Sequence, residues 1–333
     1  MLFFNKLNAL ANQVHPNSSG INYVRKNLRF IMWGLLNPGV IEQVEKLNDN
    51  GNLAPIIEQQ PKLFEKPLKP FISVRFSSAQ RVQLLKTHFE LLERQFGTNV
   101  ERIYQRNAEV LTFLDRDDNN YRIEFFSGEA REGSLGLRLV ESATGHSIYS
   151  ITFNLSEQNG KRTMHIGCLQ GTSKQVDQSQ EKIKEITRTL HGLRPKALML
   201  ELSLMMAKFF EVDEVLAISN NGHIYQALRY AGSKRGAVTF DYDALWEEFG
   251  AGKVDKYFFQ VPLNPERKDP STLKKTKRRL YTKRYQLMDE FEEQFVAYLS
   301  DLSDTGKSKG IRTIPYEEVD SAVDLPMGEL AQA

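Results

Sequence analysis

Apolar positions along this 333-residue chain change period twice. Up to about residue 106 they recur at intervals of three and four, the spacing that gathers them on one face of a helix. "GINYVRKNLRFIMWGLL" (20–36) carries that spacing, and "NPGVIEQVEKL" restarts it behind Pro38, which suits a first helical turn. "SSAQRVQLLKTHFELLERQFG" (77–97) reads as a helix capped by serine and ended at Gly97. Between them "PIIEQQPKLFEKPLKPF" holds four prolines and predicts an interrupted connector.

From 108 to about 170 the pattern breaks into short runs: "EVLTFLD", "YRIEFFSG", "SLGLRLVES", "HSIYSITFNL" and "RTMHIGCLQG". The separators "RDDNN", "EAREG", "ATG" and "SEQNGK" are turn chemistry, so the segment predicts an antiparallel meander of five strands. In the fourth run Ile148, Ser150, Thr152 and Asn154 share one face, and Tyr149, Ile151, Phe153 and Leu155 the other.

Beyond 175 the helical period returns. A polar helix over about 177–190 precedes "RPKALMLELSLMMAKFF", which is apolar almost all round and so expected to be buried against the sheet. "DEVLAIS" reads as a buried strand, "NGHIYQALRYAG" as a helix ending at Gly232, "DYDALWEEFG" as a short helix and "KYFFQVPL" as a strand. A long helix follows from about Ser271 to Ser300, striped by Leu273, Leu280, Leu287, Phe291, Phe295 and Tyr298. The expected organisation is a helical region over 1–106, an α+β core over 107–265, a basic amphipathic helix over 266–300, and a polar, disordered tail over 301–333.

Composition narrows the function classes only a little. Forty-four basic against 42 acidic side chains leave a net charge of +2, so any electrostatic partner must be met by local clusters. A single cysteine permits no internal disulfide and fits a cytoplasmic setting. No segment is long and apolar enough to span a membrane, and "MLFFNKLNALANQVHP" lacks the basic start and long apolar run of a secretory signal. That segment is expected to pack on its own domain rather than lie on a bilayer. The six histidines are scattered and "DRDDNN" lacks a calcium loop's glycine and closing glutamate, so no metal is expected.

The order of a meander, then helix, strand, helix and strand, resembles the acyl-CoA N-acyltransferase (GNAT-like) fold over about 108–262. The resemblance implies an acyl-CoA or acyl-carrier-protein thioester as ligand, its phosphates held where "HGLRPK" stands. Asn220, Ala227, Tyr230 and Gly232 match the N…A…Y…G pattern of the helix after the next strand. The usual glycine-rich loop is absent, and an extra helix precedes the candidate loop. The phrases "IGCLQG", "LHGLRPK", "LAISNNGHIY", "DYDALWEEFG" and "KRRLYTKRYQLMDEF" together resemble the VirK/YbjX family of Gram-negative bacteria over about 20–300. That resemblance implies a part in virulence, resistance to cationic antimicrobial peptides and envelope behaviour, a phenotype class rather than a reaction.

The candidate sites are few. Cys168 lies three positions from His165 on one strand, which predicts opposite faces and a packed thiol rather than a nucleophile. Gly192, Arg194 and Lys196 stand at the start of an apolar helix, where free N–H groups and two cations could hold an anion; an ordinary loop-to-helix junction is the other reading. His223 follows a buried strand and could serve as a general base beside Asn220 and Tyr230, or simply bond its own turn; no carboxylate stands at a diagnostic spacing from it. "LKKTKRRLYTKR" places Lys274, Lys275, Lys277, Arg278, Arg279, Lys283 and Arg284 on the last helix with no acidic residue among them. This suits an acidic carrier protein or an anionic inner-membrane surface better than nucleic acid. Two functions are expected from these features: acyl transfer, or a non-catalytic accessory role at a partner or membrane surface.

Overall fold

The computed structural model describes residues 2–16, 20–49, 53–104, 108–129, 131–172, 179–227 and 240–303. Five strands form the expected meander: β1 (Ala108–Leu114), β2 (Asn120–Phe126), β3 (Leu135–Glu141), β4 (Ser147–Gln158) and β5 (Lys161–Gln170). Two helices, α7 (Ser179–Thr189) and α8 (Pro195–Phe209), then carry the chain to β6 (Glu214–Ile218), which pairs parallel to β5. Two short strands, β7 (Gly252–Lys253) and β8 (Phe258–Val261), complete a sheet of order β1-β2-β3-β4-β5-β6-β8-β7, antiparallel everywhere except at β5 and β6. The class is α+β, as the sequence predicts.

Both faces of the sheet are covered. β4 is buried along almost its whole length, because its polar and apolar faces each meet helices. On the Thr152–Asn154 face lies α5 (Ser78–Phe96), fixed by the Asn154 amide donating to the Leu84 carbonyl and by the Leu155 N–H donating to His88 Nδ1. On the Ile151 face lie α8 and the 29-residue α10 (Lys275–Ser303), where Phe291 meets Phe113 and Phe295 and Tyr298 meet Phe125. α5 begins in a Ser77–Gln80 capping box and ends at Gly97, as expected.

The N-terminal helices α1 (Leu2–Val14), α2 (Gly20–Leu36), α3 (Pro38–Asn48), α4 (Ala54–Gln59) and α6 (Val100–Tyr104) contribute to the same hydrophobic core as the sheet. α1 packs on α2 at Gly34, where a Cβ would come within 2.6 Å of Leu7 Cδ2. The proline-rich connector becomes α4 and two 3₁₀ turns, Pro61–Phe64 and Lys66–Leu68.

Four expectations are corrected. The stretch after His223 opens as a 3₁₀ turn, Ile224–Gln226, with Ala227 extended, so the expected helix does not start there; 228–232 lie outside the described residues. The long helix starts at Lys275 and continues through Ser303, so 301–303 belong to it rather than to a tail; 304–333 lie outside the described residues. Its buried stripe is Met288, Phe291, Phe295, Leu299 and Leu302, while Leu280 is exposed, because only the C-terminal half reaches the sheet. Finally, Cys168 and His165 share a face. The pairing of Thr152 with Cys168 and of Phe153 with Ile166 leaves Gly167 as a bulged residue, and the bulge restores the parity that an odd spacing would break.

Candidate functional site

Beyond the C-terminal ends of the parallel pair β5 and β6 a buried group of polar side chains collects, the place where ligands of such sheets bind. The turn Ser219–Gly222 leaves β6 and is held on two sides. Ser219 Oγ donates to the Lys256 carbonyl, and the Gly222 carbonyl accepts from the Val74 N–H and from Ser73 Oγ. A Cβ at Gly222 would stand 2.3 Å from the Tyr257 carbonyl oxygen, so only glycine lets this turn close.

His223 follows, 1% exposed. Its Nδ1 accepts from the Tyr225 N–H at 3.4 Å, and its Nε2 stands 3.3 Å from Glu132 Oε1 without an aligned hydrogen bond. Both readings of the sequence are therefore present in one side chain: one nitrogen bonds its own turn, and the other faces a buried carboxylate. The Tyr242 ring stacks on the imidazole at 5.4 Å.

Glu132 belongs to the β2–β3 connection, read from sequence as a turn only. This connection lies flat on the sheet because two glycines allow it. A Cβ on Gly167 would sit 1.7 Å from the Glu132 carbonyl oxygen, and one on Gly133 would sit 2.5 Å from that of Phe153. Lys66, from the proline-rich connector, clamps the loop by donating to the Gly133 carbonyl at 2.8 Å. The Ile72 N–H donates to the Arg131 carbonyl at 2.7 Å, at a left-handed φ of 62°.

Burial sets the protonation of this group. Desolvation raises the Glu129 carboxyl to about 7, the neighbouring Glu132 adds to the rise, and Lys66 and Arg138 oppose it. Desolvation also brings the Lys66 ammonium down to about 7, against the pull of Glu129. Burial, then Glu132 and Glu129, hold the Cys168 thiol well above its usual value, so it remains a packed, protonated thiol. Burial thus moves the acid up and the amine down toward the same range.

Asn220 acts as a clasp. Its amide donates to Asp241 Oδ1, its side-chain oxygen accepts from the Tyr242 N–H, and its own N–H donates to Asp243 Oδ1. It thereby sets α9 (Tyr242–Glu248) against β6, a placement completed by Trp246 Nε1 donating to the Ile218 carbonyl at 2.7 Å. Asn220 thus positions Tyr242 beside His223. Tyr230 lies outside the described residues.

Gly192, Arg194 and Lys196 sit apart from this group, with α9 between. Gly192 does permit a close approach, and the group that approaches is Arg284: its guanidinium donates to the His191 and Gly192 carbonyls, and a Cβ would meet its Nη2 at 2.7 Å. Gly192 and His191 both take left-handed φ, and the Gly192 N–H returns to the Thr187 carbonyl, a helix C-cap. Arg194 and Lys196 both reach Glu248. Burial raises that carboxyl, yet the hydrogen bonds from Lys196 and Arg194 leave it lowered overall. α9 therefore joins the two regions, with Tyr242 against His223 at one end and Glu248 against the two cations at the other.

On α10 the remaining basic residues diverge in role. Arg278 donates to the Pro270, Ser271 and Leu273 carbonyls and so holds the helix start. Lys274, just ahead of the helix, and Lys275, Lys277, Arg279 and Lys283 on it project outward and pair with no carboxylate among the described residues.

Sequence reasoning missed Glu129, Glu132, Lys66 and Tyr242. The available signal was "GEAREG", two glutamates inside a glycine-flanked loop. Their pairing with His223 spans about ninety positions and needs the sheet to be built first.

No helix of the described residues is long and apolar enough to cross a membrane. No solved structure matches the chain. Among known proteins, YbjX of Escherichia coli strain K12 is 28% identical over 271 residues, covering 80% of this chain and 81% of that protein. An uncharacterized protein of Haemophilus influenzae is 26% identical over 283 residues, covering 84% of this chain and 93% of its own length. A protein of Mannheimia haemolytica named membrane protein LapB is 23% identical over 209 residues, covering 62% of this chain and 89% of its own. Residues 19–297 match the family described as protein of unknown function DUF535, and the chain belongs to this family, the one that contains YbjX.

Proposed function

We propose that this chain transfers an acyl group from a coenzyme A or carrier-protein thioester to an amine or hydroxyl acceptor, on the cytoplasmic side of the envelope and in support of its remodelling. The observation that carries the reading is the buried Glu132–His223 pair at the C-terminal ends of β5 and β6, with Glu129 and Lys66 beside it near their neutral points. Glu132 accepts the acceptor's N–H or O–H proton as its nitrogen or oxygen bonds to the thioester carbonyl carbon. The C–S bond then breaks, Glu129 gives a proton to the departing thiolate, and the proton held on Glu132 passes to the neighbouring Glu129, restoring both carboxyls. His223, 3.3 Å away, packs against the Glu132 carboxyl, with Tyr242 stacked behind the imidazole.

The donor's phosphates would lie at Arg194 and Lys196. They would replace Glu248, an exchange of partly exposed ion pairs that costs about 1 kcal/mol or less. α9 spans seven residues, about 10 Å, so a phosphate-holding pair and a proton-handling pair would stand within one thioester's reach. The strand order, a meander followed by a parallel strand reached through helices, also favours an acyltransferase-like core. Thermal stabilisation by coenzyme A, palmitoyl-coenzyme A and acyl-carrier protein tests this. Saturable stabilisation that disappears in Arg194→Ala/Lys196→Ala supports it; no stabilisation by any of the three contradicts it.

One observation favours a second reading. Lys274 and four outward cations on the first half of α10, with no carboxylate partner among the described residues, suit a non-catalytic accessory that docks an acidic partner or an anionic membrane surface.

A further inference from the structure

α2 has two apolar faces, and only one of them is used. Asn27, Phe30, Ile31 and Gly34 turn inward, against α1 and the core. Ile21, Val24, Leu28, Met32, Leu35 and Leu36 turn outward and are 48–87% exposed. At 100° per residue these six fall within an arc of about 120° running the length of the helix, roughly 25 Å. Single exposed apolar side chains are ordinary; six aligned on one helix are an interaction surface.

Charge identifies what covers it. Residues 1–41 contain no Asp or Glu. Arg25 falls within the arc near its edge and Arg29 just beyond that edge, both exposed and neither paired with a carboxylate among the described residues. A membrane-surface helix has this build: an apolar face entering the acyl boundary and arginines level with the lipid phosphates. A protein groove would require acidic counterparts to the arginines, whereas an anionic bilayer offers phosphates at any position along the helix.

We propose that α2 lies in the plane of an anionic bilayer, its Ile21–Leu36 stripe inserted and Arg25 and Arg29 bound to lipid phosphates. The inference does not depend on acyl transfer, nor on the cations of α10. It also bears on the sequence expectation that this end of the chain packs only on its own domain: α1 does bury Leu7, Ala11 and Val14, and the surface left over belongs to α2.

Co-sedimentation of the full chain with mixed phosphatidylglycerol–phosphatidylethanolamine vesicles tests it, with phosphatidylcholine vesicles for comparison. Binding to the first is expected, weakened about tenfold or more by Leu28→Glu/Met32→Glu and reduced by Arg25→Gln/Arg29→Gln. Both pairs are solvent-facing, so circular dichroism and the unfolding midpoint should match the unaltered chain. Lys274→Gln/Lys275→Gln/Lys277→Gln serves as the α10 control and should retain most of the binding. The proposal is overturned if vesicles do not bind the chain, or if binding survives Leu28→Glu/Met32→Glu, whatever the α10 variant does. It is equally overturned if sedimentation equilibrium finds a dimer that Leu28→Glu dissociates, since a second copy would then cover the stripe.

Discussion

His223 Nε2 stands 3.3 Å from Glu132 Oε1, with both side chains buried and a few per cent of the carboxyl reaching the surface. The two residues are about ninety positions apart in the chain, one in the turn after β6 and one in the loop between β2 and β3. A buried imidazole–carboxylate pair is costly to break and chemically versatile, so its removal should be felt in stability and in proton transfer separately.

Replacing Glu132 with Gln keeps the shape and removes the charge. Because Glu132 contributes to the raised carboxyl of Glu129, that group should titrate lower in E132Q than in the unaltered chain. Carbon-13 NMR of labelled glutamate side chains reads this directly; an unmoved Glu129 would mean that the two carboxylates do not sense each other.

Acid should loosen the fold through buried histidines. His88 is lowered to about 3 by burial, with Lys66 adding, and His165 to about 4 by burial, with Glu214 opposing. Both have folded values below the ordinary 6.5, so their contribution is complete above about 6.5 and is lost as pH falls toward 3–4. The unfolding midpoint should drop steadily between pH 6.5 and 4. His88→Gln loses stability at pH 7, since its ring bonds the Leu155 N–H and Tyr104, but its midpoint should vary less across that window.

Gly167→Ala introduces a Cβ 1.7 Å from the Glu132 carbonyl oxygen. Neither the bulge nor the β2–β3 loop can yield by rotating a side chain, so the loop must lift. A loss of about 3 kcal/mol in urea unfolding is expected, the upper part of the range for overpacking. Gly39→Ala, where nothing lies within 4 Å, is the control and should change little.

Glu248 occupies Arg194 and Lys196 as an anion would. If they are the donor's phosphate site, Glu248→Ala should raise coenzyme A affinity by about two- to fivefold, the worth of a partly exposed ion pair. Isothermal titration checks it; weaker binding in Glu248→Ala would place the phosphates elsewhere.

The sequence patterns carried the sheet well and the site only in part. Period-two runs and turn residues located all five meander strands, because each run is bounded locally. Gly167 hid the shared face of His165 and Cys168, since a bulge follows from pairing with β4 and not from the strand itself. His223 was legible as a residue beyond a buried strand. Its partner was not, because Glu132, Glu129 and Lys66 are joined to it only by the folding of the proline-rich connector and the β2–β3 loop across the sheet. Gly192 was legible as a point of close approach, whereas the approaching group, Arg284, is about ninety positions away.

The most direct test of acyl transfer is thiol release from acyl-coenzyme A and acyl-carrier protein, followed with an amine acceptor present. Release by the unaltered chain is expected, and its loss in Glu132→Gln, with the unfolding transition of that variant still cooperative. Release undiminished in Glu132→Gln, or none from either donor by the unaltered chain, would contradict it.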